Sequence, residues 1–314
     1  MVGRLPRRLK VVVDGGNGAS GRPSRNVCIF AGRQVDRSPT GSGVTARMAL
    51  QRARREAVTG EERVFESCTG ATFTGRIVRD AEPVAGRRAV IVEGGLLDQA
   101  ERPGLHLGTS TISVALAEEL AAVHGRAGVA YVSAPVFGRP DVAEMGKLNI
   151  LAAGPDEAIA RAQPLLDAMG AKTWRFGEAP ARANAVKLAG NMMIVAAVEA
   201  MGEAAAFGAA HGVPASDLLD LLTNTIFAAP VYKNYGASIA AGRYEPPGFG
   251  LALGAKDVRL ALAAAEAARV PMPLASVLRD SLLDALAHGD GEKDLAALAT
   301  ASMRRAGSAS SFAC

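Results

Sequence analysis

Cysteine is scarce in this chain of 314 residues, which has three cysteines at widely separated positions, Cys28, Cys68 and Cys314. An odd count without a C-x-x-C pair argues against a disulfide framework and a structural zinc site, so no metal is expected. Unpaired cysteines are typical of a reducing compartment. We therefore expect a cytoplasmic protein.

Aromatic residues and excess charge are also limited. Aromatic residues make up 4% of the chain, with a single tryptophan, which argues against a base-stacking platform for nucleic acid. The net charge is only +4, from 35 basic and 31 acidic side chains. This balance predicts no nucleic-acid partner.

Long apolar runs are interrupted by charge. The run Met192–Val198 stops at Glu199, and the N-terminal run Val11–Val13 stops at Asp14. These runs are too short for a transmembrane helix or the core of a signal peptide, so no membrane contact is expected. Hydrophobic residues nevertheless make up 49% of the chain, which is enough for a sizeable packed core.

The charge is divided unevenly along the chain. Residues 1–103 carry 18 basic and 11 acidic side chains, a net charge of +7, whereas residues 104–314 carry 17 and 20, a net charge of −3. Of the 18 basic residues in the first part, 17 are arginine and only Lys10 is lysine. The division indicates either a gene rich in arginine codons or two units of different origin that meet near residue 100.

The apolar pattern predicts four parts: residues 1–96, 97–176, 177–304 and a frayed tail, 305–314. The first part has short strands and turns and one helix, at Val11–Val13, Val27–Phe30, Phe73–Val78, Ala89–Val92 (strands) and Val44–Arg55 (helix). The second part alternates strands and helices, as expected of a parallel α/β sheet, at Ser113–His124, Pro155–Met169 (helices), Ala130–Ala134, Leu148–Ala153 and Lys172–Phe176 (strands). The third part is all helical, at Ala183–His211, Ala215–Thr223, Pro230–Ala241, Gly254–Arg269, Leu274–His288 and Lys293–Arg304.

A glycine-rich segment near the N-terminus has the spacing of a dinucleotide-binding loop. The residues Gly16-Asn17-Gly18-Ala19-Ser20-Gly21 follow an apolar strand and spell G-x-G-x-x-G. A helix should begin at such a loop, because its N-terminus holds the pyrophosphate. Here Arg22-Pro23 and another strand-like run follow, which favours a plain glycine-rich turn over a nucleotide site.

A second glycine-rich loop runs from Asp36 to Val44 directly into the predicted helix. Its backbone N–H groups suit a carboxylate and Asp36 suits an amine, so the loop is half of an amino-acid site or, alternatively, a capping turn with Thr40 or Ser42 as N-cap. The stretches "SRNVCIFAGRQVDRSPTGSGVTARMAL", "ESCTGATFTGRIV" and "AVIVE" resemble the C-terminal part of the proline racemase superfamily over residues 14–95.

This resemblance implies an α/β fragment with a remnant of the family's site at Asp36, Thr40, Gly41 and Ser42. Thr40 stands where racemases carry a catalytic cysteine, a change similar to that of the trans-3-hydroxy-L-proline dehydratase branch. The part of such an enzyme with the other catalytic cysteine has no counterpart here, so neither two-base racemisation nor dehydration is expected from this fragment alone.

Four features of the rest of the chain suit an anionic substrate and acid–base chemistry. Gly108-Thr109-Ser110-Thr111 precedes a helix, and Ala134–Pro140 follows a strand, where open α/β sheets bind ligands. Lys187 and Asn191 share one face of a long apolar helix, where burial lowers the pKa of a lysine. Lys256-Asp257 lies near the start of another helix. Each feature also has a plain structural explanation: an N-cap, an ordinary loop, a lysine that extends to solvent, and a surface ion pair.

Together the motifs "GTSTIS", "APVFGRP", "GKLNILAAG", "KLAGNMM" and "GFGLALGAKDVRLAL" resemble the β-hydroxyacid dehydrogenase family, which includes 3-hydroxyisobutyrate dehydrogenase, over residues 103–303. The resemblance implies a truncated Rossmann-like α/β segment followed by an all-α domain like the C-terminal domain of 6-phosphogluconate dehydrogenase. It also implies hydride transfer between NAD or NADP and a small 3-hydroxy acid or a related carbonyl or imine.

The same resemblance assigns roles to individual residues. Lys187 would be the general acid/base and Asn191 would orient it and the substrate. Ser110, Thr111, Gly138 and Arg139 would bind the substrate carboxylate. Thr111 and Lys256 would also contact the cofactor.

The chain departs from the family at Phe137-Gly138-Arg139, where Ser-Gly-Gly is usual, and at its N-terminus, where the family's own G-x-G-x-x-G half is replaced by the racemase-like fragment. We therefore expect weak or absent NAD(P)H binding. The sequence leaves three functions open: a dehydrogenase, a hydroxyproline-processing enzyme and an inactive fusion. The long apolar helix predicts a homodimer or higher homo-oligomer through the C-terminal helices.

Overall fold

The computed structural model describes residues 11–14, 24–30, 34–36, 52, 58–66, 72–84, 87–94 and 104–307. The chain divides into two compact units, Met1–Gly104 and Leu105–Cys314. The finer division into parts 1–96, 97–176, 177–304 and 305–314 stays a prediction. Thr40, Gly41, Ser42, the Gly16–Gly21 loop and most of the predicted helix Val44–Arg55 lie outside the described residues.

The described part of the first unit is a six-stranded sheet. Its strands are β1 (Val11–Asp14), β2 (Ser24–Phe30), β3 (Gln34–Asp36), β4 (Glu62–Glu66), β5 (Thr72–Val84) and β6 (Arg87–Gly94). They lie in the order β1-β2-β4-β5-β6, with β3 paired to β2. All neighbouring pairs are antiparallel except β2 and β4.

The four predicted strands of the first unit are confirmed, and β3 and β4 were not predicted because they are short or rich in charge. Val84 pairs with Arg87, so two residues connect β5 and β6, as in a tight hairpin. Ile77 on β5 is fully buried. Asp36 is the last residue of β3.

The α/β part of the second unit contains two small sheets. Its strands are β7 (Leu105–Gly108), β8 (Ala130–Ser133), β9 (Val136–Phe137), β10 (Leu148–Ala152) and β11 (Gly170–Arg175). The pairs β7–β8 and β10–β11 are parallel, and β9–β10 is antiparallel. A single bridge between Ser133 and Ala153 joins the sheets. The expected parallel sheet is therefore interrupted where the chain folds back as β9.

Three helices connect these strands, and nearby polar and acidic side chains stabilise the starts of two of them. They are α1 (Val114–Arg126), α2 (Pro140–Glu144) and α3 (Asp156–Met169). The Ser113 hydroxyl caps α1 by accepting a hydrogen bond from the Leu116 N–H at 3.0 Å. Acidic residues in the first turn of α3, Asp156 and Glu157, complement the helix dipole.

Residues 181–305 are helical. The helices are α4 (Ala181–Ala210), α5 (Ala215–Asn224), α6 (Pro230–Ala240), α7 (Leu251–Ala267), α8 (Pro273–Ala287) and α9 (Ala299–Arg305), with short 3-10 turns at Asp290–Glu292 and Leu295–Leu298. Prolines at the first position of α6 and α8 fix the φ angle that a helix start needs.

One predicted helix, Lys293–Arg304, is wrong. Asp294 is buried and its carboxylate accepts hydrogen bonds from the backbone N–H groups of Gly248, Phe249 and Ala296 at 2.7, 3.1 and 3.1 Å. These bonds hold residue 294 in an extended conformation. The helix therefore begins only at Ala299, after a 3-10 turn.

Helix α4 is the central element of the helical core. It packs against α1, α5, α6, α7, α8 and α9, and its residues Val195, Val198 and Met201 belong to the main buried cluster. By length and composition alone it could cross a membrane, with a mean hydropathy of 1.5, so the expectation that no segment is long enough was wrong. Half of that window is buried inside the unit, as in the core helix of a globular domain.

Helix α9 contacts α4 at a point where only glycine fits. A Cβ at Gly202 would lie 2.7 Å from the Ala299 Cα, closer than van der Waals contact allows. The two backbones therefore approach each other directly.

We predict that Gly202→Ala lowers the free energy of unfolding by about 1–3 kcal/mol because the two helices must separate. Gly125→Ala is the control, since a Cβ at Gly125 in α1 has open space around it and alanine favours a helix by up to about 1 kcal/mol. Urea denaturation followed by circular dichroism measures both. Equal stability of the two variants would contradict the packing of α9 on α4.

Candidate active site

Lys187 and Asn191 lie one turn apart on α4 and contact each other. The Lys187 Nζ donates a hydrogen bond to the Asn191 Oδ1 at 2.9 Å. Asn191 is buried, with 4% of its surface exposed, and Lys187 is half-buried. The shared helix face predicted from the i, i+4 spacing is therefore observed, and the lysine does not simply extend to solvent.

A buried carboxylate on α7 joins this pair to two further residues. The Asn191 Nδ2 donates to the Asp257 Oδ2 at 2.5 Å, and the Lys256 Nζ lies 2.8 Å from the Asp257 Oδ1. Lys256 Nζ also donates to the backbone carbonyl of Thr111 at 2.9 Å. The structure thus brings together Lys187, Asn191, Lys256 and Thr111, four of the predicted site residues, around Asp257.

The sequence-based assignment did not give Asp257 a role. The signal that could have found it is its position next to Lys256 in a helix that begins after Gly248-Phe249-Gly250. Asp257 is 2% exposed, and a buried aspartate is rarely left without partners. Its partners are the site residues themselves.

The surroundings of Lys187 favour its neutral form more than bulk water does. Burial lowers the pKa of Lys187 to about 8, the nearby Asp257 carboxylate opposes this shift, and the Lys256 ammonium adds to it. A lysine whose pKa lies near neutrality can both donate and accept a proton.

Asn184 is a further residue of this face that the sequence-based reasoning missed. It is completely buried, three residues before Lys187. Its Nδ2 donates to the Ser133 Oγ at 2.7 Å, and its Oδ1 accepts from the Ile112 N–H at 3.1 Å. Asn184 thereby fixes the loop that contains Ser110 and Thr111 against α4. The available signal was a second asparagine on the face of Lys187.

Ser110 and Thr111 lie in the loop between β7 and α1, with Ser110 exposed and Thr111 half-buried. The helix cap is Ser113, two residues later, so the hydroxyls of Ser110 and Thr111 are not used to cap α1. They remain candidates for contact with a substrate anion.

Gly138 and Arg139 lie in the loop after β9, beside Phe137. The ring centroid of Phe137 is 4.1 Å from the Lys187 Nζ. Gly138 is exposed and has a φ of +146°, where a side chain would be strained. Arg139 forms an ion pair with Asp294 at 3.5 Å, so its predicted contact with a substrate carboxylate stays a prediction.

Asp36 lies in the first unit, and its predicted partners Thr40, Gly41 and Ser42 are outside the described residues. No group of three possible metal-ligating side chains occurs in the part of the chain that the structure describes. The absence of a metal stays a prediction.

Comparison with known proteins identifies the helical region. Residues 181–302 match the family described as the NAD-binding domain of NADP-dependent 3-hydroxyisobutyrate dehydrogenase. The oxidoreductase YfjR of Bacillus subtilis is 39% identical over 206 residues, which cover 66% of this chain and 72% of that protein. The structure of 3-hydroxyisobutyrate dehydrogenase from Salmonella typhimurium is similar with a TM-score of 0.59 and 29% identity, over 63% of this chain and 70% of that one.

The N-terminal region is similar to a different family. Residues 9–95 match the proline racemase family. Human trans-3-hydroxy-L-proline dehydratase is 48% identical over 84 residues, which cover 26% of this chain and 23% of that protein. The chain therefore spans about a quarter of the length of this relative.

These similarities confirm the composite fold class: a racemase-like α/β fragment, a Rossmann-like α/β segment and a helical C-terminal domain. Over residues of its second unit, the chain belongs to the β-hydroxyacid dehydrogenase family of NAD(P)-dependent oxidoreductases, which includes 3-hydroxyisobutyrate dehydrogenase.

Proposed function

We propose that the second unit transfers a hydride between a nicotinamide cofactor and a small 3-hydroxy acid, or a related carbonyl or imine, with Lys187 as the proton-transfer group. The observation that carries this proposal is a chain of contacts: hydrogen bonds join Lys187 to Asn191 and Asn191 to Asp257, an ion pair joins Asp257 to Lys256, and Lys256 donates to the Thr111 carbonyl. It links the half-buried Lys187 ammonium, through Asn191, to the buried Asp257 carboxylate.

Lys187 moves the proton. When a carbonyl is reduced, its ammonium donates a proton to the oxygen as charge develops there, and in the oxidation direction the neutral amine accepts the proton from the hydroxyl. Asn191 holds the ammonium at 2.9 Å and is itself held by Asp257. This arrangement leaves the remaining Nζ protons of Lys187 available for the substrate.

The substrate carboxylate finds its donors in the loop before α1. The Ser110 and Thr111 hydroxyls supply hydrogen bonds, and the Lys256 ammonium, which already contacts the Thr111 carbonyl, supplies positive charge. A small carboxylate-bearing molecule is therefore the substrate class that this loop favours.

The donor set of the second unit fits one end of the cofactor. Thr111 and Lys256 would hold the nicotinamide end, which supplies or accepts the hydride when bound. Among residues 104–307, the glycine-rich helix start is Gly248–Gly250 before α7, and there the Asp294 carboxylate already occupies the N–H groups of Gly248 and Phe249. These two N–H groups are therefore not free to bind a pyrophosphate.

The choice between NAD and NADP stays open. A cytoplasmic location also stays a prediction, as does assembly into a homodimer or higher oligomer. Assembly is supported by large apolar side chains exposed on the helical region, such as Phe207 at 71% and Ile226 at 76%.

The racemase-like region supports hydroxyproline chemistry only in part. Turnover of trans-3-hydroxy-L-proline without added nicotinamide would favour that alternative.

We predict that Lys187→Met lowers the rate of carbonyl reduction by about 10²–10⁴-fold, because it removes the ammonium that donates the proton. The assay follows oxidation of NADH and NADPH at millimolar concentration with a panel of small aldehyde and keto acids. Lys147→Met, at an exposed site, is the control and keeps the parent rate. Equal rates for both variants would exclude Lys187 as the proton donor.

The pH dependence follows from the same lysine. Because reduction needs the ammonium form and the pKa of Lys187 is about 8, kcat for reduction should fall as the pH rises through 8. Oxidation needs the neutral amine and should rise over the same interval. Parallel pH profiles in the two directions measure this, and a reduction rate that increases above pH 8 would assign the proton transfer to another group.

Cofactor binding tests how much of the site is complete. We predict a dissociation constant on the order of millimolar or weaker for NADH and NADPH, because most pyrophosphate contacts are missing from residues 104–307. Isothermal titration of the full chain measures both. Micromolar binding would contradict the prediction and would show that another part of the chain supplies those contacts.

A further inference from the structure

Two bulky side chains extend from the end of β9 and from the loop after it into the helical part of the second unit. They are Phe137 and Arg139, the residues that depart from the Ser-Gly-Gly expected by resemblance. Phe137 contacts Lys187 on α4, and Arg139 pairs with Asp294 and lies over Gly248, before α7. We call the segment Phe137–Arg139 the clasp.

Phe137 packs on the active-site helix beside the reacting lysine. Its ring centroid is 4.1 Å from the Lys187 Nζ. The ring also lies so close to Gly190 that a Cβ there would overlap it. Because Gly190 follows Lys187 by three residues, both lie on one face of α4, and the absence of a side chain at Gly190 makes room for the ring.

Arg139 secures the other end of the clasp to a rigid anchor. Its Nη2 lies 3.5 Å from the Asp294 Oδ2, and its guanidinium is 5.8 Å from the centroid of the Tyr235 ring. The guanidinium covers Gly248 so closely that a Cβ there would overlap it. Asp294 is itself fixed by backbone N–H groups on both sides, so the anchor does not depend on Arg139.

We propose that the clasp is a positioning device for the proton-transfer step: Phe137 covers the Lys187 ammonium and excludes water from it, and Arg139 holds Phe137 in place through Gly248 and Asp294. This inference builds on the proposed role of Lys187 but concerns the surroundings of that residue. Phe137 and Arg139 act through Lys187 and are positioning residues.

The covering ring has two opposed electrostatic effects on the lysine. Its face attracts the cation, whereas its volume removes water from the ammonium group. Burial is the largest influence on the pKa of Lys187, and loss of hydration can shift a lysine pKa by several units, so we expect it to outweigh the attraction of the ring face. The charged groups that act on the lysine from α7 are Asp257, which raises its pKa, and Lys256, which lowers it, and the clasp substitutions replace neither of them.

The test measures Lys187 directly, by NMR titration of the full chain labelled with ¹³C at lysine Cε, with Lys187→Met to assign the signal. Phe137→Ser should move the pKa of Lys187 upward by about one unit or more, because water reaches the ammonium. Gly190→Ala should give the same direction of shift, since the new Cβ displaces the ring without removing it. Phe137→Leu is the matched control and keeps the low value by preserving apolar volume.

The Arg139 end is tested in the same way. Arg139→Met and Gly248→Ala should each raise the pKa of Lys187, because one removes the contact with Asp294 and the other displaces the guanidinium. Arg139→Lys retains the positive charge, so it should raise the pKa of Lys187 less than Arg139→Met does. Thermal denaturation checks that each variant is folded.

The proposal is overturned if folded Phe137→Ser and Gly190→Ala leave the titration of Lys187 unchanged, or if the Arg139 variants leave it unchanged. This readout needs no turnover. If the parent chain shows no oxidoreductase activity but the clasp variants shift the titration, the proposed function fails while the clasp stands. If activity is present but the titration does not move, the clasp fails alone.

Discussion

The buried carboxylate of Asp257 is the interaction on which the candidate site depends. It accepts a hydrogen bond from Asn191 on α4 and pairs with Lys256 on α7, which in turn reaches the Thr111 carbonyl in the α/β part. A buried charge is costly unless it is paired and hydrogen-bonded, so the same contacts that satisfy Asp257 fix the neighbouring groups. Asn191, which Asp257 holds, in turn fixes the position of the Lys187 ammonium.

Two more buried polar side chains join the α/β part of the second unit to its helices. Asn184 links α4 to Ser133 and to the backbone of Ile112, and Asp294 links the start of α7 to Arg139. These directional contacts add to the apolar packing between the two parts, because each needs its donor and acceptor in one arrangement. The site residues lie between these links, where the two parts meet.

Much of the fold could be predicted because local patterns decide it. Glycine, proline and acidic residues mark the ends of most helices in residues 104–307, and four strands of the first unit follow from their apolar runs. The failures have long-range causes. β9 forms because Val136 and Phe137 pair with β10, and the helix expected at Lys293 begins only at Ala299 because Asp294 binds Gly248 and Phe249.

The sequence by itself determined the composite nature of the chain, its two family resemblances and the placement of Lys187 and Asn191 on one helix face, since motif order and helical spacing need no tertiary information. Only the tertiary structure decided the partners of that pair. Asp257 lies 66 residues from Asn191, and Arg139 lies more than 150 residues from Asp294. Contacts at such separation leave no periodic pattern in a sequence. The packing of α4 against α7 brings Asp257 to Asn191, and the path of the clasp brings Arg139 to Asp294.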